Sequence, residues 1–137
     1  MKSFYMNGYL WKVIFVPPSS DKLVDRTRTL RVATTDPDTY RIYLSNALKG
    51  EFLNRVLIHE LGHATMISYG LIDDVHRMVK PEYWFEAEEW VCNFIADYGG
   101  KIFSSAYEVL GDNVWEYITK ELDELSHRRY IWTLHQF

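Results

Sequence analysis

The segment His59-Glu60-Leu61-Gly62-His63 stands inside the apolar run Leu53 to Ile67, and it constrains the fold of the chain more than any other feature. Residues four apart on a helix project from one face, a turn above each other, so both imidazoles can reach one ion. Glu60 lies about 100° round the helix from His59, near enough to touch a bound water without being forced to ligate. It is placed as a general base. The flanks Arg55-Val56-Leu57-Ile58 and Ala64-Thr65-Met66-Ile67 make this a largely buried helix, where an unpaired polar group costs of order 2–7 kcal/mol by transfer measurements. A bound metal removes that cost. Gly62 in mid-helix forgoes about 1 kcal/mol of propensity relative to alanine, which implies that something packs close to the backbone there.

The 137 residues are one domain's length, and 47% hydrophobic with 16% aromatic residues can bury a real core. The expectation is a single domain over 1–137. A net charge of -4, with no basic stripe beyond His127-Arg128-Arg129, gives no support for nucleic-acid binding, and a protein or peptide partner is the better default. The single cysteine, Cys92, excludes an internal disulfide and reads as a small core residue without a catalytic role. Asn7, Gly8 and Lys12 interrupt any secretory h-region, and no stretch approaches eighteen uninterrupted apolar residues, so a cytoplasmic protein without a membrane span is expected.

Tyr9 to Val16 is rich in β-branched and aromatic residues and is closed by Pro17-Pro18, as a strand followed by a turn would be. Ser19 to Asp25 reads as a loop. Thr29 to Thr34 and Tyr40 to Leu44 alternate on either side of Thr35-Asp36-Pro37-Asp38 and form an expected hairpin. From about Lys49 the periodicity becomes helical. Helices are expected from about Gly50 to Tyr69, from Pro81 or Glu82 to Tyr98 before Gly99-Gly100, from Lys101 to Leu110, and from about Asn113 to Ser126 with Asp112 as N-cap. Strands first and helices afterwards define an α+β fold, a small antiparallel sheet followed by the motif helix and C-terminal helices.

Catalytic zinc takes three protein ligands and leaves the fourth position to water, so a further donor is required. The extended H-E-x-x-H-x-x-G-x-x-H form fails, because its glycine and last histidine positions are Met66 and Tyr69. A glutamate of the next helix is the remaining common solution, with Glu86, Glu88 and Glu89 as candidates. Acids early in a helix also complement the macrodipole, which is the reading preferred for Glu86. Glu89 differs because Asn93 sits one turn further on the same face, where its amide can hold a histidine's non-metal nitrogen. Glu89 is therefore the chosen ligand, ahead of Glu88, then Glu86 or His76. His76, beside Asp73 and Asp74, reads as a solvated or capping loop residue. Tyr69, Tyr83 and Tyr98 are weighed as oxyanion donors, though tyrosines in aromatic-rich chains are usually core or rim. Trp84, Trp90, Trp115 and Trp132 are read as packing.

With these residues the sequence resembles the gluzincin metallopeptidases, whose second helix carries E-x-x-x-D or a close variant, matched by Glu89 and Asn93. More narrowly it resembles the ImmA/IrrE type of small intracellular peptidase, whose motif after H-E-L-G-H runs approximately E-x-x-A-N-x-F-A. Glu89, Cys92, Asn93, Ile95 and Ala96 follow that order, and the likeness covers roughly Leu53 to Ala96. Beyond it the chain reads Asp97-Tyr98-Gly99-Gly100 where that family has an L-L-M-P-like ending. The resemblance implies a zincin-like fold, a narrow regulatory target such as a repressor, and an extended substrate along a sheet edge near the site.

Two neutral histidines and one carboxylate leave zinc with net positive charge, which brings the pKa of bound water towards neutrality. The expected function is zinc-dependent hydrolysis of peptide bonds, with His59, His63 and Glu89 as ligands, Glu60 as base and Asn93 behind the ligands. The alternative is a catalytically inactive zincin-like module that binds metal or a partner. Glu60 speaks against it, since a purely structural zinc site does not need that residue.

Overall fold

The computed structural model describes residues 2–115, and the chain divides into two compact units, 1–98 and 99–137. The first unit opens with strands β1 (Lys2–Met6) and β2 (Tyr9–Val16). They form a hairpin through Asn7 and Gly8, whose φ angles of 48° and 83° give the two left-handed residues of a type I′ turn. β1 is a strand beyond those expected from the sequence. The same Asn-Gly pair that breaks a hydrophobic leader is a hairpin turn.

Strands β3 (Ala33–Asp36) and β4 (Arg41–Ser45) form the expected second hairpin. It starts later than the alternation from Thr29 suggests, because Asp25 captures that segment. Its carboxylate accepts from the Thr27 and Thr29 backbone N–H groups at 2.8 and 3.0 Å and from Arg31 Nε at 2.7 Å. The four strands lie in the order β1-β2-β4-β3, and the central pair, β2 with β4, is parallel. The sheet is therefore mixed and not antiparallel throughout. Periodicity fixes which face of a strand is buried; it does not fix which neighbour the strand takes, and the long connection 17–40 leaves room for the crossover that a parallel pair needs. β3 ends the sheet as an edge strand.

Helix α1 (Gly50–Ser68) packs on one sheet face. Val56 and Ala64 are buried with Trp11, Val13, Ala33, Ile42 and Leu44, and Leu53, Leu57, Leu61 and Ile67 pack against them. Its end is a Schellman cap: Gly70, at φ 65°, donates to the Ile67 carbonyl and Leu71 to that of Met66. Ser68 ties this end to the first hairpin by accepting from Trp11 Nε1 at 2.8 Å on its hydroxyl and from Asn7 Nδ2 at 3.0 Å on its carbonyl. A 3₁₀ turn at Asp21–Leu23 lies over Tyr43, with Lys22 Nζ 5.7 Å from the ring centre.

A short helix α2 (Ile72–Arg77) follows, so His76 is helical and not a loop residue. After a 3₁₀ turn at Pro81–Tyr83, helix α3 runs Trp84–Leu110. The expected break at Gly99-Gly100 does not occur, and the two helices placed on either side of it are one. Glycine weakens a helix by about 1 kcal/mol but ends it only where it turns left-handed. That happens at Gly111, φ 64°, whose N–H meets the Tyr107 carbonyl at 2.7 Å. In the second unit Trp115 stacks on Phe103 with ring centres 5.6 Å apart. Asn113 to Trp115 are helical; the rest of the helix expected to Ser126 lies outside the described residues, as does Trp132.

Among the described residues the fully buried tryptophan is Trp11, whereas Trp84, Trp90 and Trp115 are 40%, 66% and 57% exposed. These three pack at the surface and not in the core, Trp84 on the ring of His76, Trp90 on that of Phe94 and Trp115 on that of Phe103. Among the described residues no helix is long and apolar enough to cross a membrane.

Candidate metal centre

A second buried cluster sets the position of α3: Met66, Val75 and Cys92, with Leu71, Ile72, Ala87 and Val91 around them. At its centre Cys92 lies against Gly62. A Cβ on that glycine would come within 3.1 Å of Cys92 Sγ and 3.3 Å of Cys92 Cα. This contact explains the mid-helix glycine, and it brings Glu89, one turn before Cys92, to the histidines of α1.

His59 Nε2 and His63 Nε2 are 3.2 Å apart. Glu89 spans them, with Oε2 at 3.1 Å from His59 Nε2 and Oε1 at 3.1 Å from His63 Nε2. Donor atoms on a tetrahedral zinc, at bond lengths of about 2.0–2.1 Å, lie about 3.3–3.4 Å apart. The three side chains converge to nearly that spacing. Hydrogen bonds from His59 and His63 hold the Glu89 carboxyl well below the usual carboxylate range, against a smaller opposing effect of burial. For His59 burial acts downward, but Glu89, Glu60 and a hydrogen bond with Asn93 together raise its affinity for a proton.

Glu60 is 6% exposed. Its Oε2 is 4.0 Å from His63 Nε2, outside hydrogen-bond reach, and 3.3 Å from the Thr35 hydroxyl of β3. Burial pushes its carboxyl up, with partial compensation from the charges of His63 and His59. The result is a carboxylate beside the candidate ligand set and outside it.

The neighbouring acids separate cleanly. Glu86 is exposed. Glu88 is buried and faces His76, with Oε2 2.8 Å from His76 Nε2 and Oε1 3.7 Å from Arg26 Nη2. His76 also stacks on Trp84, ring centres 4.3 Å apart, and its carbonyl accepts from Trp84 Nε1 at 3.0 Å. Sequence reasoning missed this pairing because α2, which carries His76, is too short to show a period.

Cys92 offers a competing donor set, since its sulfur and one nitrogen each of His59 and His63 lie within 4.8 Å of one another. That spacing is looser than the carboxylate's. Burial, reinforced by the charges of Glu89, Glu60 and Glu88, pushes the thiol up, away from the thiolate that binds metal. The carboxylate set fits better.

His59, Glu60, His63, His76, Glu88, Glu89 and Asn93 open into one cleft of about 1050 Å³, bounded by β3, the loop before it, α1, α2 and the start of α3, whereas Cys92 does not line it. Thr35, Arg26, His76 and Tyr43 line it, whereas Tyr69, Tyr83 and Tyr98 do not. The chain matches no family model, no curated protein and no solved structure.

Proposed function

We propose that the protein is a zinc-dependent peptidase of zincin-like architecture, resembling the gluzincins in the order His59, Glu60, His63, Glu89. The observation that carries this reading is the convergence of His59 Nε2, His63 Nε2 and the Glu89 carboxylate at 3.1–3.2 Å, with a buried carboxylate beside them in an open cleft. His59, His63 and Glu89 would hold the ion, with Asn93 steadying the His59 ring. Zinc would supply Lewis acidity towards the scissile carbonyl and bring bound water within reach of deprotonation at neutral pH.

Glu60 does the proton work. Its oxygen takes a proton from the attacking water and returns it to the leaving amine, and burial, which favours its protonated form, suits it to carry that proton between the two steps. β3 supplies the docking edge. It ends the sheet and lines the cleft, so an extended peptide can add to it through main-chain hydrogen bonds. A regulatory protein is the target class that the resemblance to ImmA/IrrE peptidases favours.

The test is metal analysis of protein purified without chelator, with digestion of a peptide library. About one zinc per chain and defined cleavage products are expected. Zinc without cleavage would favour the inactive module, and neither would overturn both readings.

A further inference from the structure

Thr35 is where the sheet reaches the candidate base. Its hydroxyl lies 3.3 Å from Glu60 Oε2 and 3.4 Å from the Glu60 backbone carbonyl. A hydroxyl carries a single proton, so both acceptors of one residue share it. Among the described residues no other donor is within hydrogen-bond distance of this carboxylate; His63 Nε2 lies 4.0 Å from the same oxygen. Oε2 therefore stands between the strand and the histidine pair. At 6% exposure water competes little for this carboxylate, so even a contact as long as 3.3 Å biases its direction.

The geometry points to Thr35 as a positioning residue for the proposed hydrolysis: its hydroxyl holds Glu60 Oε2 at the strand, short of the histidines, so that the carboxylate serves as base and does not swing in to become a ligand. This inference rests on the peptidase reading. It also adds to it, because Thr35 belongs to the edge strand on which a peptide would lie, so one residue joins the docking edge to the proton acceptor. Threonine's β-branch suits the task. It limits the side chain's rotamers, so the hydroxyl keeps its direction without further partners.

The experiment compares Thr35→Val, which keeps the shape and removes the donor, with Thr35→Ser, which keeps the donor. For the zinc-loaded protein on a peptide that it cleaves, Thr35→Val should lower kcat about 10- to 100-fold, part of the roughly 10²–10⁴ that general acid–base catalysis supplies, at unchanged KM and zinc content. Thr35→Ser should stay within about 3-fold of the parent. Crystal structures of the two variants form an arm independent of activity: the Glu60 carboxylate should turn away from its present direction in the valine variant and keep it in the serine variant. Parental kcat in Thr35→Val, equal impairment of both variants, or an unmoved Glu60 in the valine variant would overturn the inference. A parent protein that cleaves nothing would sink the peptidase reading by itself, and the structural arm would still decide whether Thr35 sets the carboxylate.

Discussion

Gly62 and Cys92 meet almost backbone to backbone, for a Cβ on the glycine would lie 3.3 Å from Cys92 Cα. This contact fixes how near α3 comes to α1, and with it whether Glu89 reaches the imidazoles. Structure and ligand geometry share one atom's width of space.

Gly62→Ala should therefore destabilise the protein despite alanine's advantage of about 1 kcal/mol in helix propensity, because overpacking typically costs about 1–3 kcal/mol. It should also weaken zinc by moving Glu89 outward. Gly100→Ala is the control: among the described residues a Cβ there meets nothing within 4 Å, and a gain of about 0.5–1 kcal/mol is expected. Urea denaturation and zinc titration of both variants read the difference.

The donor set can be decided by exchanging its members. Glu89→Ala should lose zinc, whereas Cys92→Ala should keep it and lose stability through the cavity left beside Gly62. Asn93→Ala should weaken zinc affinity or activity roughly 10- to 100-fold, as removal of a ligand's hydrogen-bond partner does. Retained stoichiometric zinc in Glu89→Ala with loss in Cys92→Ala would transfer the site to the His59, His63, Cys92 set.

Glu88 belongs to a different arrangement. Glu88→Ala should leave zinc in place and cost about 1–3 kcal/mol of stability, because it strips His76 of its 2.8 Å partner in a half-buried position. Glu86→Ala should do little beyond about 0.3–1 kcal/mol of helix electrostatics. Equilibrium unfolding with parallel metal analysis separates the three acids.

How far the site was legible depended on whether its parts were local. α1 ends one residue from where the sequence placed it, since Gly50 and Gly70 both sit at left-handed φ and mark its ends. His59, Glu60 and His63 are spaced by that one helix, and Glu89 with Asn93 by another. Thr35 carries no such mark: it reaches Glu60 across 25 residues through a tertiary contact. β1 is hard to read because Asn7-Gly8, a hairpin turn, also interrupts the apolar start of the chain as a broken leader would. The parallel β2–β4 pair was hidden because alternation is the same for either strand direction. At Gly99-Gly100 composition suggested a stop, yet a glycine caps a helix where its backbone turns left-handed, as at Gly111 and not at Gly100.

Acid stability should depend on Asp25. Burial tends to raise its carboxyl, but hydrogen bonds from Thr27, Arg31 and Thr29 prevail and hold it well below its ordinary value of 3.8. A depressed carboxyl stabilises the fold above its unfolded pKa and loses that contribution as pH falls through the folded value. The stability difference between the parent and Asp25→Asn should thus be constant above about pH 5 and shrink as pH falls below about 4. Urea unfolding across that range measures it, and a gap that stays constant down to pH 2 would deny Asp25 this role.

The turnover of Glu60→Gln at full zinc occupancy tests the central claim most directly. The amide keeps the shape of the carboxylate and cannot take a proton, so bound zinc should remain at about one per chain while peptide hydrolysis falls by roughly 10² or more. Unchanged turnover in a fully zinc-loaded Glu60→Gln protein would contradict the account.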